Sequence, residues 1–168
     1  MKFVTTPLPG VSVVDMERVY DERGFFTRVY DADAFPLMPH IAQASISFNP
    51  HRGTVRGLHY QQEPFAEAKL VRCTRGAIFD VVVDLATRRW FGVELTQDGA
   101  RMLFVPEGYA HGFQSLADDS EVTYLISQSY RPDAQRGVRW NDPAFAVDWP
   151  LDVTTISDRD RAFPDFAS

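Results

Sequence analysis

Ala77-Ile78-Phe79-Asp80-Val81-Val82-Val83-Asp84-Leu85 alternates with a period of two. Its odd positions, Ala77, Phe79, Val81, Val83 and Leu85, are all apolar, whereas Asp80 and Asp84 fall at even positions. Successive side chains of a strand point to opposite faces, so the two carboxylates share the face opposite the main apolar one. That face is turned either to solvent or to the polar lumen of a barrel. Outward from this segment, Gly24–Tyr30, Ala44–Phe48, Lys69–Thr74, Arg101–Val105 and Glu121–Ser127 carry β-branched or aromatic residues between turn signals. The turns are short: Asn49-Pro50, Arg75-Gly76, Asp98-Gly99 and Pro106-Glu107-Gly108. Only Asp31–Phe35 and Pro132–Arg136 have the character of a helical turn. Many short strands with so little helix predict an all-β fold, a sandwich or barrel of jelly-roll type. From Trp140 onward, Trp140-Asn141-Asp142-Pro143 and Asp148-Trp149-Pro150 read as an extended, Trp-anchored coil packed on that scaffold. With no repeat and no linker composition, residues 1–168 form one expected domain.

The bulk chemistry narrows the function. With 45% apolar residues, 168 residues suffice for a buried core, and a net charge of −6 offers no basic stripe for nucleic acid. No apolar run is long enough for a membrane span, and no basic segment leads into an apolar one as a secretory signal would. Cys73 is the sole cysteine, which excludes an internal disulfide and fits a reducing cytoplasm. Arg72 and Arg75 flank it, but a buried, inert strand thiol is the expectation. Lys and Arg total 17, of which only Lys2 and Lys69 are lysines. The lone interior lysine is suggestive, because a compact ammonium can cap a developing oxyanion from one point.

Arg56-Gly57-Leu58-His59-Tyr60 and Lys69-Leu70-Val71-Arg72 set an imidazole, a guanidinium and an ammonium on two consecutive strands. Imidazole is the side chain whose unperturbed pKa lies nearest neutrality, which makes His59 the natural general base. Lys69 can hold an enolate oxygen, Tyr130 can give up a phenolic proton, and Asp160 can orient an imidazole. Such a set inverts a carbon beside a ketone without metal, nucleotide cofactor or nucleophile. Each member also has a plain structural reading. A lone histidine is commonly a satisfied structural residue, a strand tyrosine is commonly core or rim, and Ser157-Asp158-Arg159-Asp160-Arg161 could be a solvated charge run. Pro106-Glu107-Gly108-Tyr109-Ala110-His111 resembles the second metal-binding motif of cupin barrels. The first such motif needs two histidines one residue apart, yet the matching strand reads His59-Tyr60-Gln61, so the ligand count for a metal falls short.

Taken in order, the motifs resemble a family along nearly the whole chain. Asp21-Glu22-Arg23-Gly24-Phe25-Phe26, Arg56-Gly57-Leu58-His59-Tyr60-Gln61, Lys69-Leu70-Val71-Arg72 and Asp80-Val81-Val82-Val83-Asp84-Leu85 come first. Val105-Pro106-Glu107-Gly108-Tyr109-Ala110-His111-Gly112-Phe113, Tyr130-Arg131-Pro132, Trp140-Asn141-Asp142-Pro143 and Ser157-Asp158-Arg159-Asp160 follow. The series resembles the dTDP-4-dehydrorhamnose 3,5-epimerases, metal-free enzymes with a cupin-like jelly-roll barrel. The resemblance implies a nucleotide-linked 4-keto-6-deoxyhexose as substrate and epimerisation at C3, C5 or both. It implies His59 as base, Tyr130 as proton donor, Lys69 at the keto oxygen, Asp160 paired with the base and Asp80 as an inner carboxylate. It also implies that Arg23, Arg56 and His111 hold the sugar nucleotide, with Arg159 where the family usually has lysine. Family members are homodimers in which the segment around Arg23 and Phe26 crosses to the partner's site.

Four positions depart from the family pattern. Arg28 stands where a glutamate is usual, Gln43-Ala44-Ser45 replaces a Gln-Asp-Asn element, Arg136 replaces an aromatic that stacks on thymine, and Asn141 replaces a glutamate. All four concern nucleotide or sugar-hydroxyl contacts, so the chemistry is expected to be kept while base recognition changes. Three other readings share the pocket: a keto-isomerase of the same fold, a non-catalytic sugar-nucleotide-binding barrel, and a metal cupin.

Overall fold

The computed structural model describes residues 1–38 and 40–166. Fourteen strands are present among them: β1 (Lys2–Thr5), β2 (Ser12–Asp15), β3 (Val19–Asp21), β4 (Gly24–Phe26), β5 (Gln43–Asn49), β6 (Thr54–Gln61), β7 (Lys69–Arg75), β8 (Ala77–Asp84), β9 (Trp90–Thr96), β10 (Arg101–Val105), β11 (Tyr109–Ser115), β12 (Ser120–Ile126), β13 (Gln135–Gly137) and β14 (Thr155–Ile156). One sheet runs β1-β2-β10-β7-β12-β5 and faces a second running β13-β6-β11-β8-β9, with β14 added parallel to β6. The pairing is otherwise antiparallel, and the two sheets enclose a lumen in the manner of a cupin-like jelly roll.

β8 is buried along both faces, which explains why it reads as a nearly unbroken apolar run. Its even face, with Ile78 and Val82, joins Val71, Leu103, Phe113 and Val122 in the lumen. Its odd face, with Val81 and Val83, packs beneath the C-terminal coil against Leu58, Val138 and Phe145. Of the two sequence alternatives for Asp80 and Asp84, the structure selects the lumen: Asp80 is fully buried and Asp84 nearly so. Burial opposes ionisation of Asp84. Even so, the Thr87 hydroxyl and the amides of Ala86 and Thr87 hold its carboxyl below the usual range while closing the β8–β9 turn. On the far side of the first sheet, Phe35 and Met38 cover Val14, Met102 and Phe104.

Several boundaries differ from the sequence reading. The expected strand Gly24–Tyr30 ends at Phe26, because Thr27 turns back to donate its hydroxyl to the Glu17 carbonyl. The helical turn expected over Pro132–Arg136 is a single turn closed on the Arg131 carbonyl, after which Gln135 enters β13. The turn at Asp31–Phe35 is a 3-10 helix over Ala32–Ala34, capped by the Asp31 side chain. The C-terminal coil carries one short helix, α1 (Asp158–Arg161), capped by the Ser157 hydroxyl, in place of a solvated charge run. Cys73 is buried in the lumen core, where desolvation pushes its thiol up to about 11 and keeps it inert.

Candidate active site

One end of the lumen is filled by the apolar core; the other opens into a cavity of about 690 Å³. The opening exists because the inward positions of β5 are Gln43, Ser45 and Ser47 rather than apolar residues. His59 and Lys69 reach this cavity from opposite sheets, β6 and β7. The lysine Nζ donates to the His59 carbonyl at 3.2 Å, which ties the two sheets together at the site.

A bulge makes the β6 motif work. Between its pairing partners on β11, β6 advances from Arg56 to His59 while β11 advances only from Phe113 to His111. The extra residue lets Arg56 and His59, three apart, both face the cavity. Gly57 sits at the bulge with φ +126° and so close to β11 that a Cβ there would lie 2.6 Å from Gly112 Cα. Its freed N–H donates to Asp160 Oδ2 at 3.1 Å.

Asp160 Oδ1 meets His59 Nε2 at 2.7 Å. Burial of Asp160 pushes its carboxyl up, but the hydrogen bond and charge of His59, the Gly57 amide and Ser157 outweigh it and hold the carboxyl below its usual range. An ionised carboxylate only accepts, so Nε2 carries a ring proton, and in the neutral ring Nδ1 is the atom with the lone pair. Phe163 packs edge-on against the His59 ring and fills the space that a side chain at Gly137 would need.

Each remaining group has its own partner. Lys69 is paired with Glu67 at 2.9 Å, and both are largely buried. An ammonium has three N–H bonds; Glu67 and the His59 carbonyl take two, which leaves one for the cavity. His111, the cross-strand neighbour of His59, contacts Asp80 through Nε2 at 2.7 Å. Tyr124 and Ser47 share a hydroxyl hydrogen bond of 3.0 Å, and burial pushes the Tyr124 phenol upward. Tyr130 is not on a strand: it lies past the end of β12 on a loop at the cavity rim, 48% exposed, with its hydroxyl on Gln135 Oε1 at 2.6 Å.

The residues anticipated from sequence therefore divide in two. His59, Lys69, Tyr130, Asp160, Gln43, Ser45, Arg56, His111 and Arg159 converge on the cavity. Asp80 stands behind His111 and does not reach the cavity wall. Arg28 pairs with Asp31, Arg136 donates to the carbonyls of its own turn, and Asn141 accepts from Arg139; none of the three lines the cavity. Arg23 and Phe26 sit on the β3–β4 hairpin, with Arg23 held by Asp21 and Phe26 69% exposed. Sequence reasoning missed Glu67, Gln135 and Tyr124. Strand alternation carries a signal for Glu67, two residues before Lys69, whereas Gln135 acquires meaning only from its pairing with β6.

The class follows from the architecture: a cupin-like jelly roll with acid–base groups gathered at one mouth of the barrel. The family model described as dTDP-4-dehydrorhamnose 3,5-epimerase matches residues 5–168. A relative of that name from Sinorhizobium fredii is 38% identical, covering 98% of this chain and 89% of its own length. A dTDP-4-dehydrorhamnose 3,5-epimerase from Elizabethkingia anophelis superimposes with a TM-score of 0.93 at 32% identity, over 99% of this chain and 96% of the other. A 3,5-epimerase from Legionella pneumophila in complex with dTDP-4-keto-L-rhamnose has a TM-score of 0.90 at 30% identity, covering 98% and 92%. The chain belongs to the dTDP-4-dehydrorhamnose 3,5-epimerase family and is an isomerase.

Proposed function

We propose that this chain epimerises a dTDP-linked 4-keto-6-deoxyhexose at C3, C5 or both by metal-free proton transfer. The observation that carries this reading is the Asp160–His59 pair at 2.7 Å, on the same cavity as the Lys69 ammonium. His59 Nδ1 takes the proton from a carbon beside the C4 ketone. The C–H electron pair becomes a C=C bond, and the negative charge moves to the C4 oxygen, where the third N–H of Lys69 receives it. Tyr130 then delivers its proton to the opposite face, the ketone re-forms, the exposed phenolate regains a proton from water, and His59 returns the abstracted proton to water. Arg56, anchored on Asn49 and the Phe48 carbonyl, and Arg159, over the Phe163 ring, supply two guanidinium groups for the diphosphate. Among the described residues, no three His, Cys, Asp or Glu side chains come close enough together to hold a metal ion. We place the reaction in the cytoplasm; no described helix is long and apolar enough to cross a membrane.

Incubation with such a substrate in heavy water, followed by NMR, tests the reading. Deuterium is expected at the inverted centres. Tyr130→Phe should keep exchange while inversion falls by about a hundredfold, the scale of a lost general acid. Absence of any exchange by the wild type, across several nucleotides, rejects the epimerase in favour of a binding barrel. Exchange leading to a 3-keto product assigns the protein to the keto-isomerases instead.

The functional unit is proposed to be a homodimer in which the β3–β4 hairpin crosses to the partner's cavity. Val19, Tyr20, Phe25 and Phe26 are 48–69% exposed on a hairpin that pairs with no other described strand, and such a hairpin is poorly stable alone. Sedimentation of the wild type should give twice the chain mass, and Phe26→Asp should shift it toward the monomer. A wild-type monomer at micromolar concentration would rule the crossing out.

A further inference from the structure

Tyr130 lies on a loop and is half exposed, yet a proton donor must be held to within a fraction of an ångström to choose one face of a carbanion. Two glutamines supply that restraint. Gln61 and Gln135 are direct cross-strand partners on β6 and β13. Gln61, almost fully buried, accepts from the Arg131 amide at 2.6 Å and donates to the Ser129 carbonyl at 3.2 Å, so it grips the backbone on both sides of Tyr130. It is itself fixed by a bond of 3.0 Å to the Phe65 carbonyl. Gln135 then takes the phenol at 2.6 Å. Because Gln61 follows His59 by two residues on the same strand, acid and base are referenced to one rigid element.

We propose that Gln61 and Gln135 form a clamp that positions the Tyr130 phenol for reprotonation, Gln135 being the residue that sets how often exchange ends in inversion. This rests on the epimerase reading above. In the step concerned, the Tyr130 O–H bond breaks, a C–H bond forms at the enolate carbon, the C4 carbonyl is restored, and a phenolate remains until water reprotonates it. A neutral amide suits both states: its carbonyl accepts from the phenol, and its NH2 donates to the phenolate. A carboxylate in its place would accept from the phenol but repel the phenolate. An aliphatic chain would do neither.

Gln135→Leu and the isosteric Gln135→Glu test the clamp, with deuterium uptake and product stereochemistry measured together in heavy water. Both variants are expected to keep exchange within about twofold of wild type, since His59 is untouched. Inversion per exchange event should fall about tenfold to a hundredfold, the range that a misplaced reacting group commands. A purely structural role would lower exchange and inversion in parallel, and that result would overturn the proposal. So would an unchanged ratio in both variants. A wild type without exchange would remove the epimerase reading and the clamp with it, whereas wild-type exchange with an unaltered ratio in the variants removes the clamp alone.

Discussion

His59→Ala is expected to reduce solvent exchange at the carbons flanking the ketone by about a thousandfold, within the range of a lost general base. That factor equals about 4 kcal/mol of transition-state stabilisation. The size follows from the lack of a substitute. His111 is the other imidazole on the cavity, but it is 4% exposed and committed to Asp80 through Nε2. The diphosphate contacts assigned to Arg56 and Arg159 do not pass through His59, so affinity for dTDP should stay within about twofold, which makes this a loss in the chemical step rather than in binding. Some stability should also go, because Asp160 loses its His59 partner and is left with the Gly57 amide and Ser157. Dye-monitored melting therefore belongs beside the exchange assay. Exchange above one-tenth of the wild-type rate in a folded variant would remove His59 from the role of base.

What the sequence disclosed, and what it withheld, follow from the range of the interactions involved. Strand alternation is local, so β8, β10 and the core of β12 were legible to within a residue or so. The direction of each face was not. Both faces of β8 are buried, and only the sheet partners decide that Ile78 and Val82 look into the lumen while Val81 and Val83 look under the coil. Short elements such as β13 and β14 exist because β6 offers them an edge, and nothing within Gln135–Gly137 or Thr155–Ile156 announces a strand. The same division holds at the site. His59, Lys69 and Asp160 were named as one set, but their placement on opposite sheets and a C-terminal turn needs the closed barrel. Arg136 shows the converse. It stands where the family carries an aromatic that stacks on thymine, but its Nη1 donates to two carbonyls of its own turn at 2.8 Å, away from the cavity.

Asp160→Asn should cost exchange about a hundredfold to a thousandfold, less than the roughly ten-thousandfold loss when a serine-protease imidazole is forced into the wrong tautomer. In the wild type the carboxylate accepts at both oxygens, from His59 Nε2–H at 2.7 Å and from the Gly57 amide at 3.1 Å. An asparagine has one acceptor and one donor end. With its oxygen toward His59, its NH2 would face the Gly57 N–H, donor against donor. The opposite orientation satisfies both neighbours, but it then donates to Nε2 and drives the ring proton onto Nδ1, the atom needed as base. Asp160→Ala imposes no tautomer and should be the less damaged of the two. Stability gives a second, independent reading. The hydrogen bonds that outweigh burial hold the Asp160 carboxyl below its ordinary range, so they stabilise the fold above the unfolded carboxylate value of about 3.9 and are lost as pH falls through the lower folded value. The difference in melting temperature between wild type and Asp160→Asn should therefore be widest near neutrality and close on acidification below about pH 4. A gap that stays constant or widens in acid would show that the carboxylate is not ionised beside His59, and an asparagine variant more active than the alanine one would discard the tautomer argument.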